Sequence, residues 1–235
     1  MTTPSRPDPL PMVLVVLTVT TGLVDAVSVL GLGRVFTANM TGNVVFLGFA
    51  AAGVPGFSVA RAVVSLAGFV VGAMLGGRLG VAMASVARRR WLLTVAGVEA
   101  GLFFVAAWVV IGYDMVTLTP VPTLYALIVL TAVAMGLRNA TVRRLAVPDL
   151  TTTVLTLTLT GIAADSVPAG GHNSRLGRRL AAVLAIFAGS AVGAVLVSLG
   201  GLAPPLVVTG ACILLVTVAY AAHPASKAVS SDVHQ

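Results

Sequence analysis

Charge is what this chain lacks most. Only 9% of its 235 residues are Asp, Glu, Lys or Arg, where a soluble domain carries about 25%. Hydrophobic residues make up 58%, and the mean hydropathy is +1.05. A water-soluble core of this size cannot bury that much apolar surface. A soluble globular domain is therefore excluded, and an integral membrane protein in contact with the lipid bilayer is implied. Cysteine is scarcer still. Cys212 is alone, so no disulfide framework can form within one chain, and its apolar surroundings read as packing. His172, His223 and His234 are scattered in loops and tail. With no metal-ligand spacing, no nucleophile–base pair and no phosphate-binding glycine loop, no metal, no cofactor and no enzymatic activity are expected.

The net charge of +7 could suit nucleic acid. The basic residues instead cluster at the ends of apolar segments, as membrane anchoring requires. No nucleic-acid partner is expected.

What the chain does have is hydrophobic length. A transmembrane helix needs about 20 mostly apolar residues. Six segments reach that length: 11–33, 58–80, 91–112, 121–140, 180–200 and 204–222. Two shorter apolar stretches, 36–52 and 150–164, each follow the first long helix of a half. Each opens on polar residues, Thr37 to Asn43 and Pro148 to Thr153. The expected organisation is an N-terminal tail (1–10), one membrane domain (11–222) and a polar, disordered C-terminal tail (223–235). The first apolar run contains Asp25 and is too long for a signal peptide, so it reads as a retained helix.

Charge decides whether the short stretches cross. If both cross, eight helices divide the basic residues six against eight, which is no bias. If both are re-entrant, six helices put twelve of the fourteen basic residues on one side and leave Arg34 and Arg61 opposite. The positive-inside tendency favours six helices with both termini cytoplasmic.

The two halves echo each other. Ala67–Ala73 (AGFVVGA) reappears as Ala188–Ala194 (AGSAVGA), Gly22–Ala26 as Gly136–Ala140, and Ala38–Thr41 lies where Thr153–Thr156 lies. With three helices per half, the second copy enters the membrane upside down. Such inverted repeats build many transporters, with the solute site near the midplane. The expected fold is all-α: about six transmembrane helices as two inverted three-helix repeats, about 11–112 and 121–222, each with a short broken or re-entrant segment.

The runs Thr21–Ser28, Leu32–Asn43 (with Ala-Asn-Met-Thr-Gly-Asn) and Gly136–Ala140 followed by Arg143-Arg144-Leu145 resemble the YoaK family of bacterial membrane proteins. The resemblance spans about residues 11–222. It implies a six-helix membrane protein and brings no activity, substrate or site residues with it.

Candidate site residues are the polar ones at membrane depth. Asp25 costs about 2.5–3.5 kcal/mol to insert, which calls for a solute, ion, proton or partner; Arg34 and Arg61 are candidate partners. Glu99 is a second intramembrane carboxylate, read as a proton or cation site or as half of a buried pair. Asn39, Thr41, Gly42 and Asn43 form the densest polar group, either half of a solute site or a clamp between helices. Thr152, Thr153 and Thr156 are their counterparts, and Asn139 is the counterpart of Asp25. Gly68, Gly72 and Gly76, with Gly189 and Gly193, form small-residue stripes, placing their helices centrally and against each other. Arg138, Arg143 and Arg144 read as topogenic anchors.

Together these features point to a small-solute transporter or channel of the bacterial inner membrane, its solute unknown. The alternative is a non-transporting scaffold, sensor or partner subunit. A homodimer is left open.

Overall fold

A computed structural model describes residues 8–147, 155–173 and 175–227. Within these the chain is helical: α1 (Leu10–Gly31), α2 (Met40–Ala51), α3 (Val59–Ala82), α4 (Arg88–Val109), α5 (Val121–Leu145), α6 (Leu155–Ala164), α7 (Leu176–Gly200) and α8 (Ala203–Ala221). Six of them, all but α2 and α6, are long and apolar enough to cross a membrane. Thr152, Thr153 and the end of the C-terminal tail lie outside the described residues.

The helix starts follow from local chemistry. Pro11, Pro122 and the pair Pro204-Pro205 occupy first turns, where a missing N–H costs nothing. Ser58 caps α3 by accepting from the Arg61 N–H, and Asn39 caps α2 by accepting from the Gly42 N–H. Two elements outrun the apolar segments. α5 continues to Leu145 rather than stopping near 140, and α7 begins at Leu176 rather than near 180. The extra turns carry Arg143 and Arg144, and Arg178 and Arg179. Arginine is a good helix former, and its long stem spans from an apolar surface to water.

α3 packs along α5 and α1 along α7; α4 lies against α5 and α8, and α8 also meets α1. α2 rests on α3 and α6 on α7. The glycine stripes make the two long contacts. A Cβ at Gly72 would strike the Val133 carbonyl, and one at Gly136 the Phe69 carbonyl. On the other pair, a Cβ at Gly189 would strike the Val19 carbonyl, and one at Gly22 the Ile186 carbonyl. Only glycine permits such close backbone approach.

These contacts correct two expectations. The stripe-bearing helices α3 and α7 are peripheral. Each packs its glycines on α5 or α1 and turns Val70, Met74 and Leu75, or Leu184, Phe187 and Leu199, outward. The equivalent glycines also differ from those aligned in the sequence. Gly72 meets Val133 as Gly189 meets Val19, and Gly76 meets Leu137 and Ala140 as Gly193 meets Leu23 and Ala26. That register is one helical turn away from one matching Gly68 with Gly189. A motif of small residues every fourth position looks the same after a one-turn slip, so the sequence alone leaves the register undetermined.

Both ends of the bundle are tied. At one, the Arg88 guanidinium donates to the Asp8 carboxylate at 2.9 Å and to the Ala225 carbonyl at 2.8 Å. Asp8, Ala225 and the start of α4 therefore share a face. At the other end, the Tyr113 hydroxyl donates to the Gly31 carbonyl at 2.9 Å. Partial burial pushes that phenol up to about 12. Beside it, the Val116 N–H and the Thr117 hydroxyl donate to Asp114, both at 2.8 Å. They hold its carboxyl below the usual range.

Candidate functional site

An open cavity of about 570 Å³ lies among α1, α5, α3, α7 and the first turns of α2 and α6. Its wall includes Thr21 and Asp25 from α1, Asn39, Met40, Thr41 and Gly42 at the start of α2, Asn139 from α5, and Leu155 and Thr156 at the start of α6. Phe46, Phe69 and Ile186 add apolar surface. Six of the sequence-derived candidates, Asp25, Asn39, Thr41, Gly42, Asn139 and Thr156, thus come together from four helices. Polar groups and helix starts at membrane depth survive only against protein or water, and this cavity supplies that surface.

Asp25 Oδ1 is buried and accepts no hydrogen bond. Neither expected arginine partner reaches it. Arg34 sits over the Phe57 ring, 5.8 Å from its centroid, and Arg61 Nη2 donates to the Gly56 carbonyl at 3.2 Å. Both lie at the α1 C-terminal end of the bundle, where the chain 53–58 engages them first. The carboxylate is therefore left to the cavity. Asn139 Nδ2 donates to the carbonyl of Met135, one turn back on its own helix, at 2.8 Å.

Asn43 is the clamp of the two readings weighed for it. Its side chain is fully buried and does not line the cavity. Nδ2 donates to the Phe36 carbonyl at 2.6 Å and to Ser65 Oγ at 3.0 Å, while Oδ1 accepts from the Phe36 N–H at 2.8 Å. Ser65 Oγ donates to the same Phe36 carbonyl. The amide satisfies the irregular chain before α2 and ties it to α3, so the α2 start is fixed where Asn39 and Thr41 can face the cavity.

Glu99 also lies away from the cavity. Arg138 Nε donates to its Oε1 at 2.5 Å, both side chains being almost fully buried. Arg138 Nη1 donates to the Leu17 carbonyl at 3.1 Å and to Thr21 Oγ1 at 3.2 Å. Arg138 is therefore not a surface anchor. It joins α4, α5 and α1, and its α1 contact, Thr21, lines the cavity. The signal for this was present: Arg138 lies about one and a half turns inside the Arg143–Arg144 pair, within the apolar run. Thr21, Ser65, Phe46 and Phe69 were not singled out. Thr21 stands one turn before Asp25, the spacing that puts two side chains on one helix face.

No group of His, Cys, Asp and Glu able to hold a metal occurs among the described residues. No solved structure matches the chain. The chain is 32% identical over 152 residues to the UPF0700 transmembrane protein YoaK of Bacillus subtilis (strain 168), covering 63% of this chain and 64% of the relative. A family model described as "Protein of unknown function (DUF1275)" matches residues 13–219. The chain is a transmembrane protein and belongs to this DUF1275 (YoaK) family.

Proposed function

We propose that this protein is a small-solute transporter or channel of the bacterial inner membrane. Its solute site is the cavity beside Asp25. The bundle is read as two inverted three-helix repeats, α1–α4 and α5–α8, with α2 and α6 as re-entrant half-helices. What supports the repeat is the exchange of contacts. α1 packs on α7 as α5 packs on α3, through equivalent glycines and carbonyls. α1 starts at the face of the Asp8–Arg88 pair, while α5 starts beside the Tyr113–Thr119 loop at the opposite face. The re-entrant reading of α2 rests on Asn43 meeting Ser65, inside α3, near its start, while Gly56 returns to Arg61 at the α3 start. The positive-inside tendency makes the face of the termini cytoplasmic. Moving Arg138 into the buried pair leaves that bias intact.

The observation that carries the function is a solute-sized cavity lined by Asp25, a carboxylate whose Oδ1 is buried without a hydrogen-bond partner in the protein. Pockets for small molecules run from about 300 to 1,000 Å³. Two repeats meeting at such a cavity are suited to alternating access.

The test is binding followed by flux. Purified protein in detergent is screened by thermal shift against amino acids, sugars, nucleobases, organic anions, amines and ions. A ligand at 100 times its Kd stabilises the folded state by about 2.7 kcal/mol. The hit is then followed into proteoliposomes. A hit with no protein-dependent flux would turn the reading to a ligand-sensing subunit. Orientation is checked separately. An impermeant thiol reagent added outside should label Val116→Cys and spare Asn173→Cys; the reverse pattern would invert the topology.

A further inference from the structure

The cavity wall is unbalanced in charge. Asp25 is its one ionisable side chain among the described residues. The guanidinium of Arg138 touches the wall from behind, through Thr21 Oγ1 at 3.2 Å. Its charge is already matched by Glu99 at 2.5 Å, so the pair cancels and Asp25 does not. Phe46 and Phe69 line the same wall; Phe46 is itself stacked on Phe36 and packed against Phe57, so the two residues give the cavity an apolar side suited to the hydrocarbon body of an organic cation.

Resting on the solute-site reading above, we infer that the solute is a small organic ammonium compound. Its cationic nitrogen pairs with the Asp25 carboxylate and its body lies against Phe46 and Phe69. Size argues against a bare inorganic ion. A cavity of about 570 Å³ would leave such an ion mostly in water, with no use for two rings. The start of α2 adds partial positive charge, at most about half a unit. Asn39 already satisfies one α2 donor, the Gly42 N–H. That helix end is placed for the electronegative end of the same molecule, a hydroxyl or a carboxylate, while the ammonium takes Asp25. The amide of Asn39 and the hydroxyls of Thr41 and Thr156 can read that end.

The experiment is a thermal-shift and binding comparison on the full chain in detergent. The probes are ethanolamine, choline, putrescine and alanine against acetate, glucose, uracil and sodium chloride. The expected result is binding by one or more of the four ammonium compounds alone, weakened about tenfold or more in Asp25→Asn. Phe69→Leu, a variant independent of the carboxylate, should weaken choline several-fold. Binding of acetate, glucose, uracil or sodium that survives Asp25→Asn would overturn the ammonium inference and leave the cavity as a solute site. Binding of none of the eight, by protein with an intact thermal transition, would overturn the ammonium inference. If the wider solute panel also fails, the solute-site reading falls with it.

Discussion

Asp25 and Glu99 are both carboxylates in the interior of apolar helices, and they lead opposite lives. Glu99 accepts from Arg138 at 2.5 Å and sits in a network that continues to Leu17 and Thr21. Asp25 lines a cavity, and its Oδ1 is buried with no donor. The first arrangement satisfies a costly charge within the protein. The second leaves it without a donor among the described residues. Buried polar groups are usually paired, so an unpaired one beside open volume is the more informative of the two. The pair still matters to the cavity, because Arg138 holds Thr21, one turn from Asp25.

The sharpest way to test this contrast is to strand Glu99. Arg138→Leu leaves a buried carboxylate unpaired and should cost about 3–5 kcal/mol, seen as a large loss of melting temperature in detergent. Adding Glu99→Met to that variant should recover most of the loss. If the double variant melts as low as the single one, the network is not what Arg138 supplies.

Next comes the scaffold that brings α5, and with it Asn139, to the cavity. Gly72→Leu drives a side chain into the Val133 backbone and should cost about 3 kcal/mol, the upper end of overpacking. Gly77→Ala, on the same helix with nothing within 4 Å of its Cβ, should leave the melting temperature near that of the parent. Equal effects at both positions would mean that α3 does not pack on α5 through this stripe.

Asn43→Ala should cost about 2 kcal/mol, since it leaves the Phe36 backbone groups without their partner. Because Asn43 positions the α2 start and does not line the cavity, ligand affinity should fall together with stability. A variant of unchanged melting temperature and lost binding would make Asn43 a ligand contact instead. Among the polar residues the smallest expected effect on stability is that of Asp25→Asn, under about 1 kcal/mol in either direction, because no protein hydrogen bond is lost. A drop as large as that of Arg138→Leu would reveal a structural partner and erase the distinction between the two carboxylates.

The same contrast marks how far the sequence could be read. Six candidates for the site, Asp25 and Asn39 among them, meet at one cavity, because polar residues inside apolar runs must find protein or water. Glu99 and Asn43 answer the same description and lie elsewhere, one in an ion pair and one in a clamp. Their partners, Arg138 and Ser65, are 39 and 22 residues away in the chain, and no local pattern ties them together. The glycine stripes show the same limit: their presence is plain in the sequence, but a four-residue repeat leaves the register open by one turn.

Hydrophobic length by itself determined the six candidate spans and the two short helices, since the bilayer's thickness translates directly into residue count and every backbone group in a helix is satisfied locally. Only the tertiary structure decided which carboxylate is neutralised and which faces open space. Pairing a buried charge depends on the approach of helices far apart in sequence, which no local pattern of residues encodes.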